Sequence, residues 1–230
     1  MSVPGFMPQF SGGAAGASIE YVGGVADVGE SGGNAVLDLT GIAGLAEGDI
    51  VIVSGGFTRN AVPTTPAGWT EIVNYRDSDS CALVFYKIMG GTPDTAVTAP
   101  SSGDSRDACA YVALAFRGVD QSTPFDATAE LVEELLPVTP GAITTVTSKA
   151  MIVIYAGLRT TDGALTPPAG YPAFTEGETL AIGIVGRDQV STMTYKEAST
   201  VGVNAPGAYS DWTTDQSDPV IAVTMALRPA

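Results

Sequence analysis

Apolar and polar positions along the chain fall into short runs, and the runs come in two matching sets. Ile50 to Val53 is an unbroken series of β-branched residues, the pattern of a strand covered on both faces, and Met151 to Tyr155 is its counterpart. Thr65-Pro66-Ala67-Gly68 and Pro167-Pro168-Ala169-Gly170 each fit a type I turn with Pro second and Gly fourth. Trp69 and Tyr171 follow these turns, where a large ring would lie across an open end of a core. Cys81 to Ile88 reads as a strong strand; Ser191 to Lys196 is the weaker partner, preceded by an apolar run at Leu180 to Val185. Ala108 to Phe116 alternates strictly, with Val112, Leu114 and Phe116 on one face and Tyr111, Ala113 and Ala115 on the other. Val220 to Leu227 repeats the scheme, with large Val223, Met225 and Leu227 against smaller Ala222, Thr224 and Ala226. A period of two is what a strand requires. The small-residue faces predict close approach of another layer, a neighbouring subunit being one candidate.

The two sets are in register over most of their length. Gly56 matches Gly157 at an offset of 101, Gly68 matches Gly170 at 102, and the large residues of the closing strands match at 111. Tyr86-Lys87 returns as Tyr195-Lys196, and Phe116-Arg117 as Leu227-Arg228. This is an internal duplication, with halves at approximately 35–120 and 137–230. Each copy supplies about four to five strands in this reading, and a jelly roll is itself a pair of Greek keys. The predicted fold is therefore all-β: a jelly-roll-like antiparallel β-sandwich over 19–230, built from two repeated halves, behind a flexible N-terminal arm at 1–18, with two small tandem domains as the alternative.

Outside the repeats the pattern is thinner. Met1 to Ala17 is rich in Gly, Ala and Ser with Pro4 and Pro8, and reads as extended until a partner orders it. Ile19 to Asp27 has the look of an edge strand interrupted at Gly23-Gly24, and Ala35 to Leu39 of a short strand. Asp126 to Leu136 fits a short amphipathic helix, with Asp126 as cap, Leu131, Leu135 and Leu136 inward and Glu130, Glu133 and Glu134 outward. A strand or an irregular crossover fits the same segment. Helix elsewhere should be close to nil.

Composition then narrows the function classes. Among 230 residues, 25 acids against 10 bases give a net charge of −15, which repels phosphate backbones and disfavours nucleic-acid binding. Solubility alone also accounts for such a charge. Histidine is absent, which excludes a Ser-His-Asp relay, a Cys-His pair and every His-containing zinc site. No apolar run reaches the roughly 20 residues that cross a bilayer, so no membrane insertion is expected. Met1 to Phe10 carries no Lys or Arg and no sustained apolar core, so no secretory signal peptide is read there. Cys81 and Cys109 both fall in apolar strands and read as buried free thiols, a bridge requiring those strands to be neighbours in register.

Acidic loops are the remaining candidates for chemistry. Asp77-Ser78-Asp79, Asp104 to Asp107, and Asp211, Asp215 and Asp218 lie in polar segments, but none has EF-hand spacing and solvated Asx turns explain them. No metal site and no cofactor is assigned. A glycosidase needs two carboxylates about 5–9.5 Å apart, and with 25 acids the sequence singles out no pair. Trp212 beside Asp211, with Tyr209 nearby, is the candidate glycan-binding cluster, pairing ring stacking with carboxylate hydrogen bonds. A loop aromatic tucked onto its own sandwich is the plainer reading of the same residues. Arg117 and Arg228, each ending a long strand, are expected to pair with local acids.

The order Gly-Asp-Ile-Val-Ile-Val (48–53), Pro-Ala-Gly-Trp-Thr (66–70), Phe-Tyr-Lys (85–87), Ala-Phe-Arg-Gly-Val-Asp (115–120), Thr-Pro-Phe-Asp (123–126) and Ala-Leu-Arg-Pro (226–229) resembles accessory virion proteins of tailed bacteriophages and of phage-like gene transfer particles. That resemblance implies a non-enzymatic spike, fibre or decoration subunit located on the virion and made in the host cytoplasm. It implies a homo-oligomer, a trimer being favoured, contacting capsid or tail proteins through the N-terminal arm and a host-surface glycan. There is no collagen-like or coiled-coil repeat, so a compact knob is expected rather than a shaft. The alternative is a stand-alone carbohydrate-binding β-sandwich module. A monomer with an exposed groove at Asp211 and Trp212 would favour the module; a symmetric multimer would favour the particle subunit.

Overall fold

The computed structural model describes residues 18–29, 31–57, 62–76, 81–104, 108–135, 137–159, 166–171, 179–182, 189–198, 200–209 and 219–230, with only backbone described at 158–159 and 179–182. The first half contains β1 (Glu20–Gly29), β2 (Ala35–Asp38), β3 (Ile50–Phe57), β4 (Thr70–Arg76), β5 (Cys81–Ile88), β6 (Ala96–Ala99) and β7 (Cys109–Arg117). The second contains β8 (Phe125–Glu134), β9 (Ile143–Thr145), β10 (Met151–Arg159), β11 (Thr179–Ile182), β12 (Gln189–Glu197), β13 (Gly202–Asn204) and β14 (Val220–Leu227). Among the described residues the only helical piece is a 3-10 turn at Leu39–Gly41, capped by the Asp38 carboxylate.

The sheets repeat the same order. In the first half β1-β7-β3-β5-β4 form one antiparallel sheet and β2-β6 a separate ribbon; in the second, β8-β14-β10-β12-β11 and β9-β13 do the same. Among the described residues each half thus contributes seven strands, where four to five were expected. The two large sheets face each other, with β1 against β11, and β7 and β3 against β12. At the other edge a hydrogen bond from Tyr75 to Glu133 joins β4 to β8. Exchanging the halves maps these two edges onto each other, but the close approach of β7 and β3 to β12 has no equally close counterpart of β14 and β10 on β5, so the halves stack asymmetrically.

Three cores follow from this stacking. The central one is shared: Ile50, Ile52, Val112, Leu114 and Phe116 of the first half meet Met151, Val153, Tyr155, Val223, Met225 and Leu227 of the second. Two outer cores lie between each sheet and its own ribbon. Strand β3 shows why its residues are β-branched throughout: Ile50 and Ile52 point into the central core, Val51 and Val53 into the outer one. The small-residue faces are spent the same way. Tyr111, Ala113 and Ala115 pack under the β2-β6 layer, and Ala222 and Ala226 in the outer core of the second half, all at 0% exposure. The approaching layer is therefore the chain's own ribbon, and the expectation that these faces meet a neighbouring subunit is overturned.

Two further sequence expectations are resolved. Residues Phe125–Glu134 form strand β8, not a helix, because antiparallel pairing with β14, interrupted by register shifts around Ala226, engages one side of their backbone. Asp126 caps no helix: it is 5% exposed, and its Oδ2 accepts from the Val146 and Thr147 N–H groups at 2.6 and 3.0 Å. Cys81 and Cys109 are buried free thiols on β5 and β7, which are separated by β3. Burial pushes Cys81 up to about 12 and Cys109 up to about 11.

The matched glycines have a steric cause. A Cβ at Gly56 would lie 2.0 Å from the Cys81 carbonyl oxygen, and one at Gly157 would lie 2.0 Å from the Tyr155 hydroxyl. Each glycine admits a neighbour that no side chain would tolerate. The space at Gly157 lets the buried Tyr155 hydroxyl approach Ser191, whose Oγ donates to the Ala110 carbonyl at 2.8 Å across the two sheets.

Candidate functional site

The duplicated Pro-Ala-Gly-aromatic turn is the place to look for divergence between the halves. In the first, the Trp69 N–H donates to the Pro66 carbonyl at 3.1 Å and Gly68 takes φ +82°. In the second, the Tyr171 N–H donates to Pro168 at 3.1 Å and Gly170 takes φ +84°. Only glycine adopts that backbone without strain. Both turns thus lay a ring against the end of an outer core. Trp69 meets Phe85 edge-on at 5.3 Å between centroids, and Tyr171 packs beside the outer core of its own half.

The lysines of the Tyr-Lys repeats then part company. Lys87 is tied to Asp94 at 2.6 Å, closing the first copy. Lys196 instead lies over the Tyr171 ring, 5.4 Å from its centroid, an attraction between ammonium and ring quadrupole. Beside it opens a crevice of about 130 Å³ lined by Tyr171, Lys196, Glu197, Asn204 and Pro206 above Ile152. Lys196 and Glu197 are exposed, and burial pushes the Tyr171 phenol up to about 12, so it stays a neutral donor at ordinary pH. Asn204 spends its amide hydrogens on Thr145 Oγ1 at 3.1 Å and Gly202 O at 2.9 Å, leaving the amide oxygen as what it can offer. Ring, ammonium, carboxylate and amide together match a small polyhydroxylated ligand, whose hydroxyls donate and accept.

Of the candidates read from sequence, Tyr209 is fully buried in the outer core of the second half, its N–H bonded to Val138 O at 2.9 Å. Burial raises its phenol well above the usual range. A ring without an exposed face cannot stack on a sugar, so Tyr209 serves the packing. Asp211 and Trp212 lie outside the described residues, as do Asp77, Asp79, Asp107, Asp215 and Asp218. Among the described residues no three Cys, Asp or Glu side chains converge as a metal cluster would. The closing arginines behave as expected. Arg117 forms a bidentate pair with Asp49 at 2.8 Å through both Nε and Nη2, and Arg228 Nε reaches Asp126 at 3.2 Å.

Sequence reasoning placed Tyr171 and Lys196 as framework echoes and passed over Glu197 and Asn204. The signal was present in the pair of offsets: both the turn and the Tyr-Lys end recur, so they must meet at one end of the sheet in both halves. The chain matches no protein-family model, no curated protein and no solved structure, so its functional reading stands on its own residues and architecture.

Proposed function

We propose that this chain is a non-enzymatic structural subunit of a tailed phage or phage-like particle, a capsid or tail decoration, spike or fibre knob that contributes to host-surface attachment. The observation that carries the reading is the duplicated seven-strand unit, joined through one shared core. Jelly rolls build capsid and lectin domains, and the turn and strand signatures at 48–53, 66–70, 85–87, 115–126 and 226–229 resemble those of accessory virion proteins. The support is analogy of architecture and motif, since a fold alone does not determine an activity.

With the small-residue faces internal, the contacts between subunits are assigned to the outer ribbon of the second half. Val146, Val201 and Val203 are 63%, 53% and 73% exposed and lie along β9-β13, where Val203 pairs with Thr144. A trimer would cover these valines, and residues 1–17 would engage the capsid or tail. The test is to purify native particles, wash them in high salt, and locate the protein by mass spectrometry and immunolabelling. Symmetric copies on head or tail are expected; particles that lack the protein would overturn the reading.

The carbohydrate-binding module remains the second reading, favoured by the crevice at Tyr171, Lys196, Glu197 and Asn204. Retention on immobilised glycans by a monomer, abolished in Tyr171→Ala or Trp212→Ala without a lower melting temperature, would select it.

A further inference from the structure

The sandwich is not evenly closed. Its sheets come closest where β7 and β3 meet β12, and they part toward the edge formed by β4 and β8. An open groove of about 300 Å³ lies in that mouth, with Ile72, Tyr86, Phe125, Ala127 and Ala129 as its apolar walls. Both β4 and β8 are last strands of their sheets, but they differ in what their backbones offer. The segment before β4 is tied to that strand: Asn74 Nδ2 donates to the Pro63 carbonyl at 3.0 Å, and Thr65 Oγ1 to the Glu71 carboxylate at 2.7 Å. Strand β8 runs for ten residues, and among the described residues its backbone pairs with β14 alone. Alternate N–H and C=O groups along 125–134 therefore point past the edge, where another strand could take them up.

The side chains of β8 say what such a strand would carry. Phe125, Ala129 and Leu131 turn toward the central core, and Val132 toward the outer one. Glu130 and Glu134 share the face of Val132, since successive residues alternate, and both are exposed. The strand contains no Lys or Arg, and among the described residues neither of these two acids has an ion pair, whereas Asp126 is held by Arg228. A segment laid beside β8 would send every second side chain into the apolar groove and the others past Glu130 and Glu134. Apolar residues suit the first set and basic residues the second, because opposite charges on adjacent strands attract. A second copy of this chain does not supply that pattern. Its β8 would set acids against acids, and its two closest basic residues, Arg187 and Lys196, are nine positions apart.

We propose that β8 takes up, by strand addition, an extended segment of a partner protein in which apolar residues alternate with Lys or Arg. Main-chain hydrogen bonds to the free edge hold the segment, the groove receives its apolar side chains, and Glu130 and Glu134 select its charge. This surface is distinct from the β9-β13 valines, and the proposal stands whether or not the chain belongs to a particle.

The test uses the full-length protein and a labelled short peptide alternating Val with Lys, read by fluorescence anisotropy. A peptide of the same composition with Val and Lys in separate blocks, and one alternating Val with Glu, should each bind about tenfold more weakly or worse. Glu130→Lys/Glu134→Lys should weaken the alternating peptide by about tenfold, as two cross-strand pairs turn from attraction to repulsion, with Tm unchanged. Hydrogen–deuterium exchange should slow at 125–134 on peptide addition and stay unchanged at the opposite edge, 20–29. Methylating the backbone nitrogens of all Val or of all Lys residues, whichever set faces β8, should abolish binding, a result that needs no variant of the protein. Equal affinity for the alternating and blocked peptides, equal affinity in parent and variant, or binding kept by both methylated peptides would overturn the proposal. So would slow exchange at 125–134 without peptide that is lost on dilution, because that would assign the edge to a second copy.

Discussion

Replacing Asp126 with alanine removes the acceptor that ties three elements together. Its carboxylate takes two backbone hydrogen bonds from the turn after β9 and one from Arg228 at the end of β14. Hydrogen bonds to a charged acceptor contribute about 1.5–3 kcal/mol each when desolvated. Val146 is exposed and its N–H regains water in the variant, and Arg228 is 30% exposed, so the pair adds only about 0–1 kcal/mol. The expected loss is about 3 kcal/mol in all, which for a chain of this length lowers Tm by about 6–12 °C. Burial by itself would raise the Asp126 carboxyl, but the bonds from Thr147, Val146 and Arg228 outweigh it and hold the group below its ordinary value. A depressed folded-state pKa contributes stability that is complete above the unfolded value near 3.9 and vanishes as pH falls through the folded one. Urea unfolding of both proteins from pH 7 to pH 2.5 checks the sign and the size together. The gap should be full at pH 7 and close below about pH 4. A variant within about 0.5 kcal/mol of the parent at pH 7, or a gap that persists unchanged in acid, would refute the reasoning.

Other expectations follow from the same packing. Gly56→Ala should destabilise by roughly 3 kcal/mol or more, since the new methyl meets the Cys81 carbonyl, whereas Gly90→Ala, with open space around it, should stay within about 0.5 kcal/mol in thermal melts. Met225→Ala empties part of the shared core and should cost about 2–5 kcal/mol; calorimetry should still show one transition for both halves, and two separated transitions would contradict a common interior. Cys81 and Cys109 should resist iodoacetamide in the native protein at pH 8 and react fully in denaturant, because burial raises both thiols and shields them. Val201→Lys with Val203→Lys should convert any multimer to monomer in light scattering without lowering Tm; an unchanged mass would remove the ribbon from the interface.

The sequence by itself determined the strands and their repetition. Alternation at Val112, Leu114 and Phe116 and at Val223, Met225 and Leu227 is a local signal, because successive side chains leave a strand on opposite faces. The offsets at Gly56 and Gly157 carried the duplication for the same reason, each glycine answering to a close neighbour in its own half. Segment 125–134 was ambiguous locally, and only pairing with β14, some 90 residues later, made it a strand. Of the ribbons β2-β6 and β9-β13 only β2 was marked in the sequence, at Ala35 to Leu39; β6, β9 and β13, three or four residues each, were too short to register a period, so the small-residue faces lacked a visible partner. What covers a face and which crevice opens beside Tyr171 depend on residues brought together from distant parts of the chain. Tertiary packing alone decided those, since a period of two says which residues share a face and is silent about what that face will meet.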